Sequence, residues 1–457
     1  MKKVLVANRG EIAVRIIRAC HDIGLKTVAV YSEADSESLH VLLADEAVCI
    51  GKAPSATSYL KIANILSAAE ITGADAIHPG YGFLAENANF ASICESCGLE
   101  FIGPSPDTIS KLGDKANAKA IAKKAKCPII PGTEGIVKDV DHGLKEAQKI
   151  GFPIFIKASA GGGGKGIRIA ENPSDFKRKF IAAASEAEVS FGNPDIYLEK
   201  MIMNPRHIEV QILADKKGNT IHLGERDCTI QRRRQKLIEE APSPVVTPSL
   251  RKKMGAAAVA LAKEAKYFSA GTVEFLLDEK NHFYFMEVNT RIQVEHTVTE
   301  ELTGVDLVKS QLQIAQGEKL ALKQKDVTFT GHVIEFRINA EDPKHQFRPM
   351  PGKLSYYIPP GGPHIRIDSA CYAGYKIPPN YDSMIAKLIV KGHNREEAIK
   401  IGKRALKEFH LSGVPSTIPF HSYMLEDENF LSCKYNLDYI DSLMEKGVTF
   451  ELVEDKA

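Results

Sequence analysis

Two short apolar segments, Thr272–Leu277 and Phe283–Asn289, flank the turn-like Asp278–His282 and read as a β-hairpin. With Leu277 opposite Tyr284, Glu274 falls opposite Glu287, and cross-strand neighbours share a face with Cβ atoms about 5 Å apart. Two carboxylates that close repel unless a proton or a cation lies between them. Asn289 is two residues further on, hence on the same face. Two acids and an amide oxygen suit Mg²⁺, which takes few carboxylates and completes its shell with substrate phosphates. The plain alternative is a solvated sheet face that carries two acids. Beyond Glu287, polar residues recur at every second position: Asn289, Arg291, Gln293 and Glu295. In an extended segment they would line one side, and Arg291 with Glu295 would supply a cation and a base for a small anion. His207, Glu209 and Gln211 alternate in the same way within Arg206–Ile212.

A second chemical feature is the run Ala158-Ser159-Ala160-Gly161-Gly162-Gly163-Gly164-Lys165-Gly166 after an apolar strand. Four adjacent glycines leave backbone N–H groups unshielded, and Lys157 and Lys165 add positive charge. Gly161, Gly163 and Gly166 match the spacing of a dinucleotide fingerprint, but Ile167-Arg168-Ile169 reads as a strand where that fingerprint needs a helix. The P-loop pattern fails too, since no Gly-Lys-Ser/Thr closes the loop. What remains is a glycine lid in a hairpin, folding over phosphates. The run Glu225–Lys236 carries five cations, yet acids flank it and aromatics are absent, which favours an anion site with internal ion pairs over nucleic acid.

These features need elements to carry them. Residues 1–113 alternate strands (Val4–Ala7, Thr27–Tyr31, Ala74–His78) with helices whose apolar residues recur at helical spacing, such as Ile12, Ile16, Ala19 and Ile23. That alternation predicts a parallel, doubly wound sheet. Asp114 can cap a helix over 115–126. Next come a helix near 139–150, strands at 154–157 and 167–170, and a long helix near 173–189. The pattern then turns antiparallel, with strands at 206–214, 219–225, 271–277 and 283–288 around a helix near 249–266. Residues 331–457 place strands first, then helices, then a short acidic tail.

The 457 residues suggest about three domains at roughly 150 residues each. We expect boundaries near 113 and 325, with the lid at about 130–203. Lys+Arg is 59 and Asp+Glu is 58, a balance that argues against a nucleic-acid coat or a polybasic membrane binder. No run of 18 apolar residues occurs, and the N-terminus lacks a secretory apolar region, so a cytoplasmic chain is expected. Of eight cysteines only Cys94 and Cys97 are close, and a lone C-x-x-C in a helix reads as buried thiols rather than a zinc site.

Taken together, the motifs resemble the biotin carboxylases of the ATP-grasp superfamily. The matching stretches are Ala7–Ala13, His78–Leu84, Lys157–Ser159 with the glycine loop, Glu225–Cys228, Glu287–His296, Arg337–Asp342 and Tyr381–Met384, spread over nearly the whole chain. The resemblance implies a doubly wound N-terminal domain, an ATP-grasp domain with a glycine-rich lid, and a C-terminal α+β domain. It implies ATP-dependent carboxylation of biotin by bicarbonate, through carboxyphosphate, with Mg²⁺ or Mn²⁺. Lys115, Lys157, His207 and Gln231 would contact the nucleotide, with Gly161, Gly162, Gly163 and Gly164 closing over it. Glu199 and the Lys200 backbone would meet the adenine, with Ile202 packed on the ring. Glu274, Glu287 and Asn289 would hold the metal. Lys236, Arg291, Gln293 and Val294 would bind bicarbonate, and Glu295 would deprotonate it. Arg337 would stabilise the biotin enolate oxygen, and Tyr81 would line the biotin pocket.

The resemblance also implies a homodimer that binds neither nucleic acid nor membrane. Many relatives carry histidine where Arg234 stands. No Met-Lys-Met attachment site occurs, so biotin is expected on a separate carrier protein, with a carboxyltransferase on another chain. The acceptor, an acyl-CoA or a 2-oxoacid such as pyruvate, would be set by that partner. Two rival readings are an ATP-grasp ligase joining a carboxylate to an amine and a non-catalytic ATP-binding regulatory protein.

Overall fold

A computed structural model describes residues 1–158, 167–191 and 193–450. Gly161, Gly162, Gly163 and Gly164 lie outside the described residues, as does the acidic tail. The chain divides into two compact units. The first comprises Met1–Cys127, Arg206–Phe275 and Glu287–Ala457; the second comprises Pro128–Pro205 and Leu276–Met286.

The first unit opens with the expected parallel sheet, in the order Glu46–Gly51, Lys26–Ser32, Lys3–Val6, Ala76–His78, Glu100–Phe101. Side chains alternate across it. Val4 and Val6 join Ile12 and Ile16 of helix Gly10–Asp22 on one face, while Leu5, Val28 and Val30 join Ile65 and Phe90 on the other. Helix Lys115–Lys124 begins where the sequence places it, with the Asp114 side chain accepting from Asn117 N at 2.8 Å.

The larger sheet has eight strands, in the order Phe283–Asn289, Ser269–Leu277, Arg206–Ala214, Thr220–Arg232, Gln235–Ala241, His332–Asn339, Met384–Gly392, Ile365–Ser369. It runs without a break across residue 325, because Gln235–Ala241 pairs antiparallel with His332–Asn339. Three expectations from the sequence change here. Thr220–Arg232 is twice the expected length, and Gln235–Ala241 is a strand that the basic run conceals. Both carry buried charges paired with groups on other elements, such as Arg226 with Glu209 and Glu239 with Arg337, so polarity there marks ion pairing rather than solvent. Cys94 is buried within helix Ala88–Ser96 as expected, but Cys97 follows that helix and is exposed.

The second unit contains the antiparallel sheet Ile167–Ala170, Ile154–Ala158, Ile196–Lys200. Helices Val140–Ile150 and Pro173–Phe191 bury Ala147, Phe176 and Phe180 with Ile154, Ile156 and Leu198. Among the described residues, no helix is long and apolar enough to cross a membrane.

Burial holds several first-unit histidines neutral, with His40 pushed down to about 4. Its unfolded pKa is near 6.5, so below that pH the unfolded chain takes up the proton that the native site refuses, and stability is lost as pH falls toward 4. We expect the stability gap between the wild type and His40→Gln to narrow by on the order of 2 kcal/mol between pH 7 and pH 5. Urea unfolding at the two pH values measures it, and an unchanged gap would contradict the assignment.

Candidate active site

The centre of the site is built on opposed strands. Glu209 and Arg226 are register partners in the antiparallel pair Arg206–Ala214 and Thr220–Arg232. Both side chains are 0 % exposed. All five guanidinium N–H donors of Arg226 are used. Nε donates to Glu209 at 2.5 Å. One terminal nitrogen donates to Gln211 (2.7 Å) and Thr299 (2.9 Å), the other to Thr272 (3.1 Å) and Gln293 (2.8 Å). Arg226, the first arginine of the basic run, is therefore an internal hub. Arg233 and Arg234 form the exposed tip of the hairpin joining Thr220–Arg232 to Gln235–Ala241, with φ of 47° and 67°.

Lys236, two residues past that tip, points an ammonium into three carboxylates. Its Nζ lies 2.6 Å from Glu209, 2.5 Å from Glu295 and 3.3 Å from Glu274. The other oxygen of Glu295 accepts from Arg337 at 3.0 Å, and Arg337 Nε also donates to Glu239 at 2.6 Å. Burial alone would raise the Glu295 carboxyl. Lys236, Arg337 and Arg226 outweigh burial and hold it well below the usual carboxylate range. Burial alone would lower the Lys236 ammonium, but the same three acids outweigh it and raise it. Glu239 lies opposite Glu335 in the strand register, and burial pushes both carboxyls up despite Arg337 and Lys387 nearby.

The metal-ligand candidates stand beside this cluster. Glu274 Oε2 lies 2.9 Å from His207 Nε2, and Oε1 accepts from Asn289 and Gln293, each at 2.8 Å. Burial would raise Glu274, but Lys236 and His207 lower it. Glu287 is half-buried, and its carboxyl is raised by burial and then by the negative charge of Glu274, which Lys115 partly offsets. That electrostatic conflict between two acids is the condition the hairpin reading anticipates. Asn289 is more engaged, since its Oδ1 accepts from Arg291 at 3.0 Å. Ligand-capable atoms of His207, Glu209 and Glu274 lie within 4.8 Å of one another. Gln231 reaches the other ring nitrogen of His207, 3.3 Å from Nδ1.

The polar ladder beyond Asn289 does not persist. The strand ends at Asn289, and by Glu295 the backbone has left the extended region (φ −79°, ψ 12°) to start helix His296–Thr303. The Gln293 carbonyl accepts from His296 N at 3.3 Å. Asn289 and Gln293 still meet at Glu274, but Arg291 and Glu295 take different partners. Arg291 turns to Glu86 at 2.9 Å, and Glu295 is paired by Lys236 and Arg337 instead. The Val294 carbonyl accepts from Lys387 at 2.9 Å.

Tyr81 donates its hydroxyl to Glu11 and feels the charge of Arg337. It lines a cavity of about 240 Å³ with Arg9, Phe83, Tyr381 and Asp382. In the second unit, Lys157 is ion-paired to Glu199, and Lys200 Nζ donates to the carbonyls of Gly151 and Phe152, each at 2.8 Å. Ile202 is half-buried in the segment that follows.

Sequence reading overlooks Arg226, Glu86, Glu239 and Lys387 as site components. For Arg226 a signal exists, since acids on both sides mark a cation with internal partners. Glu86 carries none: it reaches Arg291 and the Thr290 amide from over 200 positions away.

Comparison with known proteins bears directly on this geometry. Residues 1–109 match the biotin carboxylase N-terminal domain, 114–323 the ATP-binding domain of the carbamoyl-phosphate synthase L chain, and 335–442 the biotin carboxylase C-terminal domain. The chain is 56% identical over 443 residues to biotin carboxylase 1 of Bacillus subtilis, covering 97% of this chain and 98% of that one. It is 52% identical to a pyruvate carboxylase subunit from Methanothermobacter thermautotrophicus, covering 98% and 91%. Among solved structures, the biotin carboxylase domain dimer of Hydrogenobacter thermophilus 2-oxoglutarate carboxylase, in complex with MgADP, ADP and bicarbonate, is 52% identical with a TM-score of 0.88, covering 99% of each chain. With family models along most of its length and a buried lysine–glutamate–arginine cluster at its centre, this chain belongs to the biotin carboxylase family.

Proposed function

We propose that this chain catalyses ATP-dependent carboxylation of biotin, the first half-reaction of a biotin-dependent carboxylase. Bicarbonate attacks the γ-phosphate of ATP to give carboxyphosphate and ADP. Carboxyphosphate breaks down to CO₂ and phosphate, the released phosphate takes the N1′ proton of biotin, and CO₂ adds to N1′. One observation carries the reading: Glu295, 2 % exposed, is clamped between Lys236 at 2.5 Å and Arg337 at 3.0 Å. A carboxylate so paired is ionised and fixed in orientation at neutral pH, ready to take the bicarbonate proton.

The remaining roles follow from the chemistry of each group. Lys236, Arg291, Gln293 and the Val294 backbone hold the bicarbonate anion. Arg337, a guanidinium with a fixed fork of donors, stabilises the oxygen that becomes negative when biotin is deprotonated. Tyr81 lines the biotin pocket. The acids Glu274 and Glu287 with Asn289 fit a hard divalent cation, because the charge of Glu287 is disfavoured by burial and by its charged neighbour until a cation is shared. Mg²⁺ or Mn²⁺ held there supplies neutralisation of the triphosphate. Lys115, Lys157, Glu199, Lys200, Ile202, His207 and Gln231 are the nucleotide-contact residues of this reading. Domains at 1–113, 114–325 and 326–457, a homodimeric cytoplasmic enzyme, and a biotin carrier and carboxyltransferase on separate chains complete the proposal. The choice of acceptor lies with the partner, a reading supported by relatives named for both pyruvate and 2-oxoglutarate carboxylases.

Phosphate release from ATP tests this. It should depend on bicarbonate and rise when free biotin is added. Stimulation by an amine in place of biotin would point to a carboxylate–amine ligase. Tight ATP binding without phosphate release would point to a regulatory protein.

A further inference from the structure

Lys387, on strand Met384–Gly392, is a fully buried cation that the proposed mechanism does not use. Its ammonium lies 3.1 Å from Glu11 and 3.9 Å from Asp368, and donates to the Val294 carbonyl at 2.9 Å. Two of these partners lead to the site. Val294 immediately precedes Glu295 in the turn that replaces the polar ladder. Glu11, in the first turn of helix Gly10–Asp22, uses its other oxygen to accept the Tyr81 hydroxyl. A counter-ion needed only for folding would have no reason to bond at both places.

We infer that Lys387 is a positioning residue: one buried ammonium fixes the turn that carries Glu295 and, through Glu11, the hydroxyl of Tyr81. This rests on the function proposed above, in which Glu295 meets bicarbonate and Tyr81 meets biotin. Two consequences separate the arms. Glu11 bonds the tyrosine directly and reaches the turn only through Lys387, which without it still has the Val294 carbonyl and Asp368, so its loss disturbs biotin use far more than bicarbonate activation. Lys387 serves both, so its loss disturbs both. Burial raises the Glu11 carboxyl and Lys387 pulls it back, so removing the lysine also weakens Glu11 as an acceptor.

Steady-state kinetics on purified full-length variants test the inference, with free biotin as the probe. Glu11→Gln should raise the biotin KM about ten-fold, the scale of one hydrogen bond to a charged group, while bicarbonate-dependent ATP hydrolysis without biotin stays within about two-fold of wild type. Tyr81→Phe should raise the biotin KM similarly, and the double variant should be no worse than the larger single effect, because both cut one link. Lys387→Met should raise the biotin KM and lower bicarbonate-dependent hydrolysis at least about ten-fold. If Lys387→Met does not accumulate folded, the charge-matched Lys387→Met/Glu11→Gln takes its place with the same expectation. A biotin KM unchanged by Glu11→Gln, effects that multiply in the double variant, or full bicarbonate-dependent hydrolysis in the folded lysine variant would each overturn the inference. A wild type that biotin fails to stimulate would overturn the proposed function instead.

Discussion

Replacing Glu295 by Gln should lower bicarbonate-dependent turnover about 10²–10⁴-fold, the usual worth of a positioned general base, while ATP affinity stays near that of the wild type. Glutamine keeps the size of the side chain and an oxygen that can accept from Lys236 or Arg337. It cannot take a proton from bicarbonate. It also removes the negative charge that two buried cations share at 2.5 Å and 3.0 Å. Lys236 retains Glu209 at 2.6 Å and Arg337 retains Glu239, so neither cation is stranded and the fold should survive. The readout is the split between turnover and nucleotide affinity. Turnover within a few-fold of wild type would remove Glu295 from the base role.

Arg226→Met should show the largest stability effect, a loss of about 3–5 kcal/mol in the unfolding free energy of the first unit. Methionine fills much of the volume but satisfies none of the five hydrogen bonds. Glu209, 0 % exposed, would lose its register partner and the nearer of its two cations. Gln211, Gln293 and Thr299 would keep buried polar atoms without a donor, each adding a desolvation cost. Activity should fall as well, because Gln293 links Arg226 to Glu274. Denaturant unfolding measures the change, and a loss below about 1 kcal/mol would show that the hub is dispensable to the fold.

The parts of the molecule that follow a simple period are the parts legible in its sequence. The doubly wound sheet is one, since Val4, Leu5 and Val6 alternate between two apolar cores and the helices between them carry apolar stripes. The hairpin bearing Glu274 and Glu287 is another. Legibility fails where charge is buried. Gln235–Ala241 looks like solvent-facing chain because Lys236, Glu239 and Glu240 are polar, yet all three are paired inside. It fails again where the backbone changes state. Arg291 and Glu295 stay four residues apart on either reading, but the turn after Asn289 sends them to different partners. Glu295 is identifiable as a base candidate from its neighbours in sequence. Its actual clamp comes from Lys236 and Arg337, on strands far away in the chain, and no local pattern announces a tertiary pair.

The most direct test follows labelled carbon from bicarbonate into biotin. Wild-type protein supplied with ATP, Mg²⁺ and free biotin should transfer the label to biotin in step with phosphate release, and Glu295→Gln should transfer almost none while still binding ATP. Label reaching biotin equally well in the variant, or ATP hydrolysed by the wild type with no label in biotin, would contradict bicarbonate activation by the clamped glutamate.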